Sequence, residues 1–303
     1  MFALRLLAPA DLSPAFVTVL RSAPGATNLV LLKGAALDPP GDVVLADVVR
    51  EAADDVVAQL RAVPGGESCS IALEVVDTSL STQAEMAEQA APGRGVDAIV
   101  WEAVEAHTSE EAELSVSFVV LLVAATLIAA VGLLLDSAVL IVGAMVVGPE
   151  FGPVAGITVA LVRREGALAR RSLLALAVGF PLASLAAFVM TAIIIATAGL
   201  PAPYAGEQRP LTAFVSQPDG YAVLVALLAG VAGMVSLTSA KSAALVGVAV
   251  SVTTVPAAAD IGVAAAAGRW TECGGAALQL LINLGALVAA GAATLAVRTR
   301  KAR

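Results

Sequence analysis

Apolar residues dominate from Ser115 to Val297, in six windows over 115–135, 137–162, 172–198, 221–238, 242–265 and 275–297. Each is near the ~20 residues a helix needs to cross a hydrocarbon core. The first 113 residues instead alternate short runs of period two with runs of helical period. Phe2 to Leu7, Ala26 to Lys33, Asp42 to Val49 and Ser70 to Asp77 read as strands, and Ser13 to Arg21 and Ala52 to Val63 as helices. Asp11 or Ser13 is placed to cap the first helix, with Pro14 in its opening turn. Pro39-Pro40-Gly41 and Pro64-Gly65-Gly66 mark turns. The order strand, helix, strand, strand, helix, strand predicts a ferredoxin-like βαββαβ domain over 1–80, with two helices on one face of the sheet. A domain of this size buries a modest core, so pairing with a second copy is expected. Residues 81–113 read as a polar linker followed by an amphipathic helix, since Val96, Ile99, Val100, Ala103 and Val104 recur at helical spacing.

Within the apolar region two stretches match. Asp136-Ser137-Ala138 leads to a break at Pro149-Glu150-Phe151-Gly152-Pro153, and Lys241-Ser242-Ala243 leads to a break at Thr253-Thr254-Val255-Pro256, followed by Asp260. Interrupted hydrophobic segments at corresponding places in two halves point to a site built from broken helices. Three spans per copy is an odd number, so the copies would be inverted. The predicted fold over 114–297 is therefore an α-helical membrane protein, a six-span bundle of two inverted three-helix repeats with discontinuous helices. Residues 298–303 form a basic tail.

Composition agrees with a membrane protein: 59% hydrophobic and 14% charged residues, with a mean hydropathy of +0.91. Residues 1–113 carry 18 acidic side chains against six basic ones, whereas the remainder carries seven against eleven. No basic patch offers itself to phosphates, so nucleic acid is not an expected partner. Arg163, Arg164, Arg170 and Arg171 lie between the second and third windows, and Arg298, Arg300, Lys301 and Arg303 follow the last. Under the positive-inside rule both groups, and with them both termini, are expected on the cytoplasmic side of the inner membrane. The loops at 199–220 and 266–274 are then outside. No secretory signal is expected in a polar, patterned N-terminal region. Cys69 and Cys273 are too isolated for a disulfide framework or a zinc site, and His107 has no partner histidine or cysteine near it. No metal or cofactor is expected.

Candidate chemistry centres on the breaks. Two prolines and two glycines within Gly148–Pro153 remove backbone donors and permit close approach, and freed backbone groups at membrane depth must be buried or face a cavity. A carboxylate at that depth, Glu150, costs at least ~2.5 kcal/mol to insert and so marks a site. Asp260 is the natural second acid, with Ser251, Thr253 and Thr254 supplying hydroxyls just before the break at Pro256. Alternatively, Asp260 lies near the outer surface and is solvated. Asn283 and Gln279 either line the same cavity or bond across helices. No nucleotide loop, nucleophile elbow or metalloprotease motif occurs, so an enzyme is not expected.

The run Ala129 to Ser137 continuing into Gly143-Ala144-Met145 and the Pro149, Gly152, Pro153 break resembles the uncharacterised bacterial membrane family named domain of unknown function 389. The resemblance continues through Val252 to Asp260 and around Asn283. It implies a membrane protein, and it implies mostly apolar residues between the two prolines, where this chain has Glu150. Taken together, the sequence predicts a transporter or channel for an ion or small solute, embedded in the lipid bilayer and forming a homo-oligomer. The competing reading is a membrane-anchored ligand sensor or oligomeric scaffold that works through the N-terminal domain.

Overall fold

The computed structural model describes residues 1–76, 81–90, 101–206, 209–212, 215, 219–238 and 254–301. They divide into two compact units, Met1–Val104 and Glu105–Lys301.

In the first unit, strands β1 (Phe2–Ala8), β2 (Ala26–Leu37), β3 (Pro40–Val48) and β4 (Ser70–Val75) form one antiparallel sheet in the order β2-β3-β1-β4. Helices α1 (Ser13–Ser22) and α2 (Ala53–Ala62) supply Phe16, Leu20, Val56 and Leu60 to the same core as Phe2, Leu4 and Leu6 of β1 and Val44, Ala46 and Val48 of β3. The period-two alternation of β1 and β3 therefore sends one set of side chains to the helices. A further helix, α3 (Thr82–Ala90), lies in the stretch expected to be a linker.

The β2–β3 hairpin runs further than the sequence predicts, and Pro40 and Gly41 belong to β3 rather than to a turn. The Asp42 carboxylate accepts a hydrogen bond from the Gly34 amide at 2.8 Å, which ties the lengthened strands together. That amide, then the Ser13 hydroxyl, hold the Asp42 carboxyl below its ordinary value; burial opposes them, and the charge of Lys33 adds to them. A carboxyl lowered on folding stabilises the fold above its unfolded pKa of about 3.9, and that contribution is lost as pH falls through the folded value. Asp42→Asn should accordingly flatten the acid limb of this unit's stability profile while removing part of its stability at neutral pH. Thermal unfolding of the two proteins across the acid range checks this.

The second unit is helical. Its elements among the described residues are α4 (Trp101–Glu111, crossing the boundary between the units), α5 (Val116–Leu134), α6 (Ala138–Val147), α7 (Phe151–Arg163), α8 (Gly166–Ala198), the short α9 (Ala202–Ala205), α10 (Gly220–Thr238), α11 (Val255–Ala266) and α12 (Trp270–Lys301). Four of these, α5, α8, α10 and α12, are long and apolar enough to cross a membrane, and α6 and α7, bent by 57° at the break between them, are so only taken as a pair. Of the window at 242–265 the described part is α11; Lys241, Ser251 and Thr253 lie outside the described residues, as does the His107 side chain. Ser115 and Ser137 cap α5 and α6 by accepting from the amides of Phe118 and Leu140.

Burial inverts the order expected from length. The crossing helices are 28–44% buried over their apolar windows, and side chains such as Val120, Leu173, Leu185, Ile193, Leu228 and Leu281 point outward. Two of the half-length helices are the interior: nine of the 13 residues of α7 and nine of the 12 of α11 are buried. Helix α11 packs against α5, α8 and α12. Its approach to α8 depends on Gly262, where an added Cβ would collide with the Ser184 carbonyl oxygen and lie 2.7 Å from the Phe188 nitrogen. The Ser184 hydroxyl donates to the Ala258 carbonyl at 2.8 Å across the same contact. Gly262→Val should push α11 from α8 and cost about 1–3 kcal/mol, read as a lower melting temperature in detergent.

Candidate functional site at the helix breaks

Pro149 forces Gly148 into an extended conformation, and α6 ends at Val147. Glu150 then occupies the position before α7, and Pro153 falls in the first turn of that helix, where its missing amide hydrogen breaks no helical bond. The second break is built alike: Thr254 precedes α11 and Pro256 stands in its first turn. The two beginnings meet. The Thr254 hydroxyl donates to Glu150 Oε1 at 2.8 Å, and both residues are fully buried. Pro149, Glu150, Gly152, Pro153, Thr254 and Pro256 are thus assembled at one place, where the positive ends of two helix dipoles converge on a carboxylate.

Two glycines make room. A Cβ on Gly148 would strike Glu150 Oε2 and stand 3.0 Å from Val255 Cγ2, and a Cβ on Gly152 would stand 2.7 Å from the Glu111 carbonyl oxygen. At the far end of α7, Arg163 pairs with Glu105. Helix α4 thus comes close to the start of α7 at Glu111 and is paired with its far end through Glu105.

Asp260 does not join this cluster. Six residues along α11 from Thr254, it is displaced by about 9 Å along the helix axis. Nor is it solvated, as one reading of the sequence allows: it is fully buried, with Arg209 Nη1 3.8 Å from its Oδ1. Asn283 is also fully buried and accepts from Gln279 Nε2 at 3.2 Å, one turn back along α12.

Residues 145–289, from the end of α6 to well into α12, match the family described as Domain of unknown function (DUF389). The chain is similar to that family over this stretch. Over 176 residues it is also 26% identical to "Uncharacterized protein MJ0678" of Methanocaldococcus jannaschii, an alignment covering 58% of this chain and 52% of that protein. The chain thus spans about half the length of this curated relative. No solved structure matches.

The DUF389 region holds a second polar cluster that sequence reasoning missed. Arg209 bonds Glu272 through Nη2, and Arg269 Nη1 reaches the same carboxylate at 3.1 Å. Both guanidiniums lie over the Tyr204 ring, 4.3 and 4.7 Å from its centroid, and Arg269 also donates to the Tyr204 carbonyl at 2.7 Å. Burial, with Asp260 nearby, pushes the Tyr204 phenol well above its ordinary value. One signal could have found this cluster: between 172 and 297 the only cationic side chains are Arg209, Lys241 and Arg269.

Proposed function

We propose that this protein moves an ion or small solute across a membrane, with the site at the meeting point of α7 and α11. One observation carries the reading: the starts of two interior half-helices are joined by the Thr254–Glu150 hydrogen bond. Irregular backbone at membrane depth is tolerated where it is buried or lines a path, and an ionisable side chain there is functional by default. Glu150 is the group that binds and releases a proton or cation. Two helix N-termini disfavour a bare cation lodged between them and favour a carboxylate, which makes the proton the better of the two. Alternating access around the breaks, or a channel using the same site, would serve.

The remaining architecture follows from that reading. The strand order and the helix–strand alternation of the first unit support a ferredoxin-like domain. The matched breaks support two inverted three-helix repeats and six spans, and the arginines at 163, 164, 170 and 171 support cytoplasmic termini in an inner membrane. Assembly as a homo-oligomer, with no cofactor and no catalysed reaction, completes the proposal.

The test is the pH dependence of thermal stability in detergent for the parent and Glu150→Gln, screened against common cations and small metabolites. A ligand that stabilises the parent and not the variant supports the site. Identical profiles together with unchanged flux would remove Glu150 and favour a sensor or scaffold.

A further inference from the structure

At the end of the bundle opposite the arginines around α7 and α8, a single turn ties together the two discontinuous elements. Helix α8, 33 residues long, separates Arg170 and Arg171 from this end. Here the turn Arg209–Thr212 has two anchors. One is Asp136, in the corner before α6, whose carboxylate accepts from the Thr212 hydroxyl at 2.8 Å and from the Leu211 amide at 3.4 Å. The other is Arg209, which enters the interior to meet Asp260 on α11 and Glu272 on the first turn of α12.

These anchors are polar. Leu211, the large apolar residue of the turn, is 55% exposed. Arg209 is 6% exposed and its distance to Asp260, 3.8 Å, exceeds that of a hydrogen bond. Neither Arg209 Nη1 nor the buried Tyr204 hydroxyl has a hydrogen-bond partner among the described residues. Buried donors without acceptors are uncommon and mark an arrangement that water or a second conformation would satisfy better. Opening the turn would hydrate both donors and would expose little apolar surface.

We propose that the Arg209–Thr212 turn, with the Arg209 and Arg269 guanidiniums over the Tyr204 ring, is a latch that closes this end of the bundle over α11. Released from Asp260, Arg209 swings out, and the end of α11 that carries Asp260 becomes reachable from that side of the membrane. Asp260 is then a latch residue and not a second coupling acid. The latch goes beyond the transport reading: it requires α11 to be covered and uncovered, whatever crosses.

Cys273, half-buried beside Glu272, is a native reporter of the opening. In this 303-residue chain with Cys69→Ser it is the only thiol, since the sequence has two cysteines. Its rate of reaction with a membrane-impermeant maleimide in sealed vesicles, assayed in each orientation, requires no knowledge of a substrate. Arg209→Gln should raise that rate on the order of tenfold from one side only, because loss of a buried ionic partner favours the open arrangement. Asp260→Asn should do the same, and the double variant should label no faster than either single one. Equal rates in parent and variants, or additive effects in the double variant, overturn the latch. Should Arg209→Gln fail to elute as a monodisperse species, Asp136→Asn loosens the turn from its other anchor: a faster rate supports the latch and an unchanged rate overturns it. Loss of flux in Glu150→Gln does not bear on this result, so the two readings fail separately.

Discussion

Glu150→Gln should leave the bundle folded and its flux at background. The amide keeps an acceptor for the Thr254 hydroxyl, so the stability change is the difference between a charge-assisted and a neutral hydrogen bond, about 1 kcal/mol. Function should suffer out of proportion, because an amide neither binds nor releases a proton where α7 and α11 begin. Proteoliposomes holding a pH-sensitive dye, driven by an imposed gradient, give the flux, and detergent melting curves give the stability. The pairing of readouts decides the matter. A folded variant with parental flux would deny the carboxylate a role in transport, and a variant that loses both would make it a packing residue.

The largest loss of stability is expected from Arg209→Met. Arg209 is the shared partner of Asp260 and Glu272, and its removal leaves the fully buried Asp260 carboxylate without its guanidinium. Breaking a buried pair from one side typically costs about 3–5 kcal/mol, whereas replacing both partners by apolar residues of similar volume is often near neutral. Arg209→Met with Asp260→Leu should therefore melt closer to the parent than Arg209→Met alone. Melting temperatures of the two single variants and the double variant complete the cycle. A double variant no more stable than Arg209→Met would mean that the pair contributes through the Tyr204 ring and Glu272 instead.

Much of this could be read from the chain because proline and glycine act locally. Pro149, Pro153 and Pro256 dictate where α7 and α11 can begin whatever surrounds them, and Glu150 and Thr254 are marked by standing beside those starts. The strands were legible for a similar reason, since β1 and β3 alternate cleanly between core and open face. What escaped depends on contacts between residues far apart in sequence. Arg209 stands in a stretch that reads only as a connection, and its partners are 51 and 63 positions away. The extension of β2 to Leu37 depends on the bond between Asp42 and Gly34, which no propensity encodes. Asp260 reads as an acid after a proline; whether it faces Glu150, solvent or an arginine is decided by the tilt and packing of α11.

The burial of α11 bears on how the protein is made. The twelve residues of α11 make a helix about 18 Å long, shorter than a hydrocarbon core about 30 Å thick. Its neighbours α5 and α8 are synthesised before it and α12 after it. Until α12 emerges from the ribosome, the side of α11 that packs against it is uncovered. The centre of the bundle is thus finished by α12, and a nascent chain halted before Trp270 would hold a half-helix with an acid in it and an unfinished place for either.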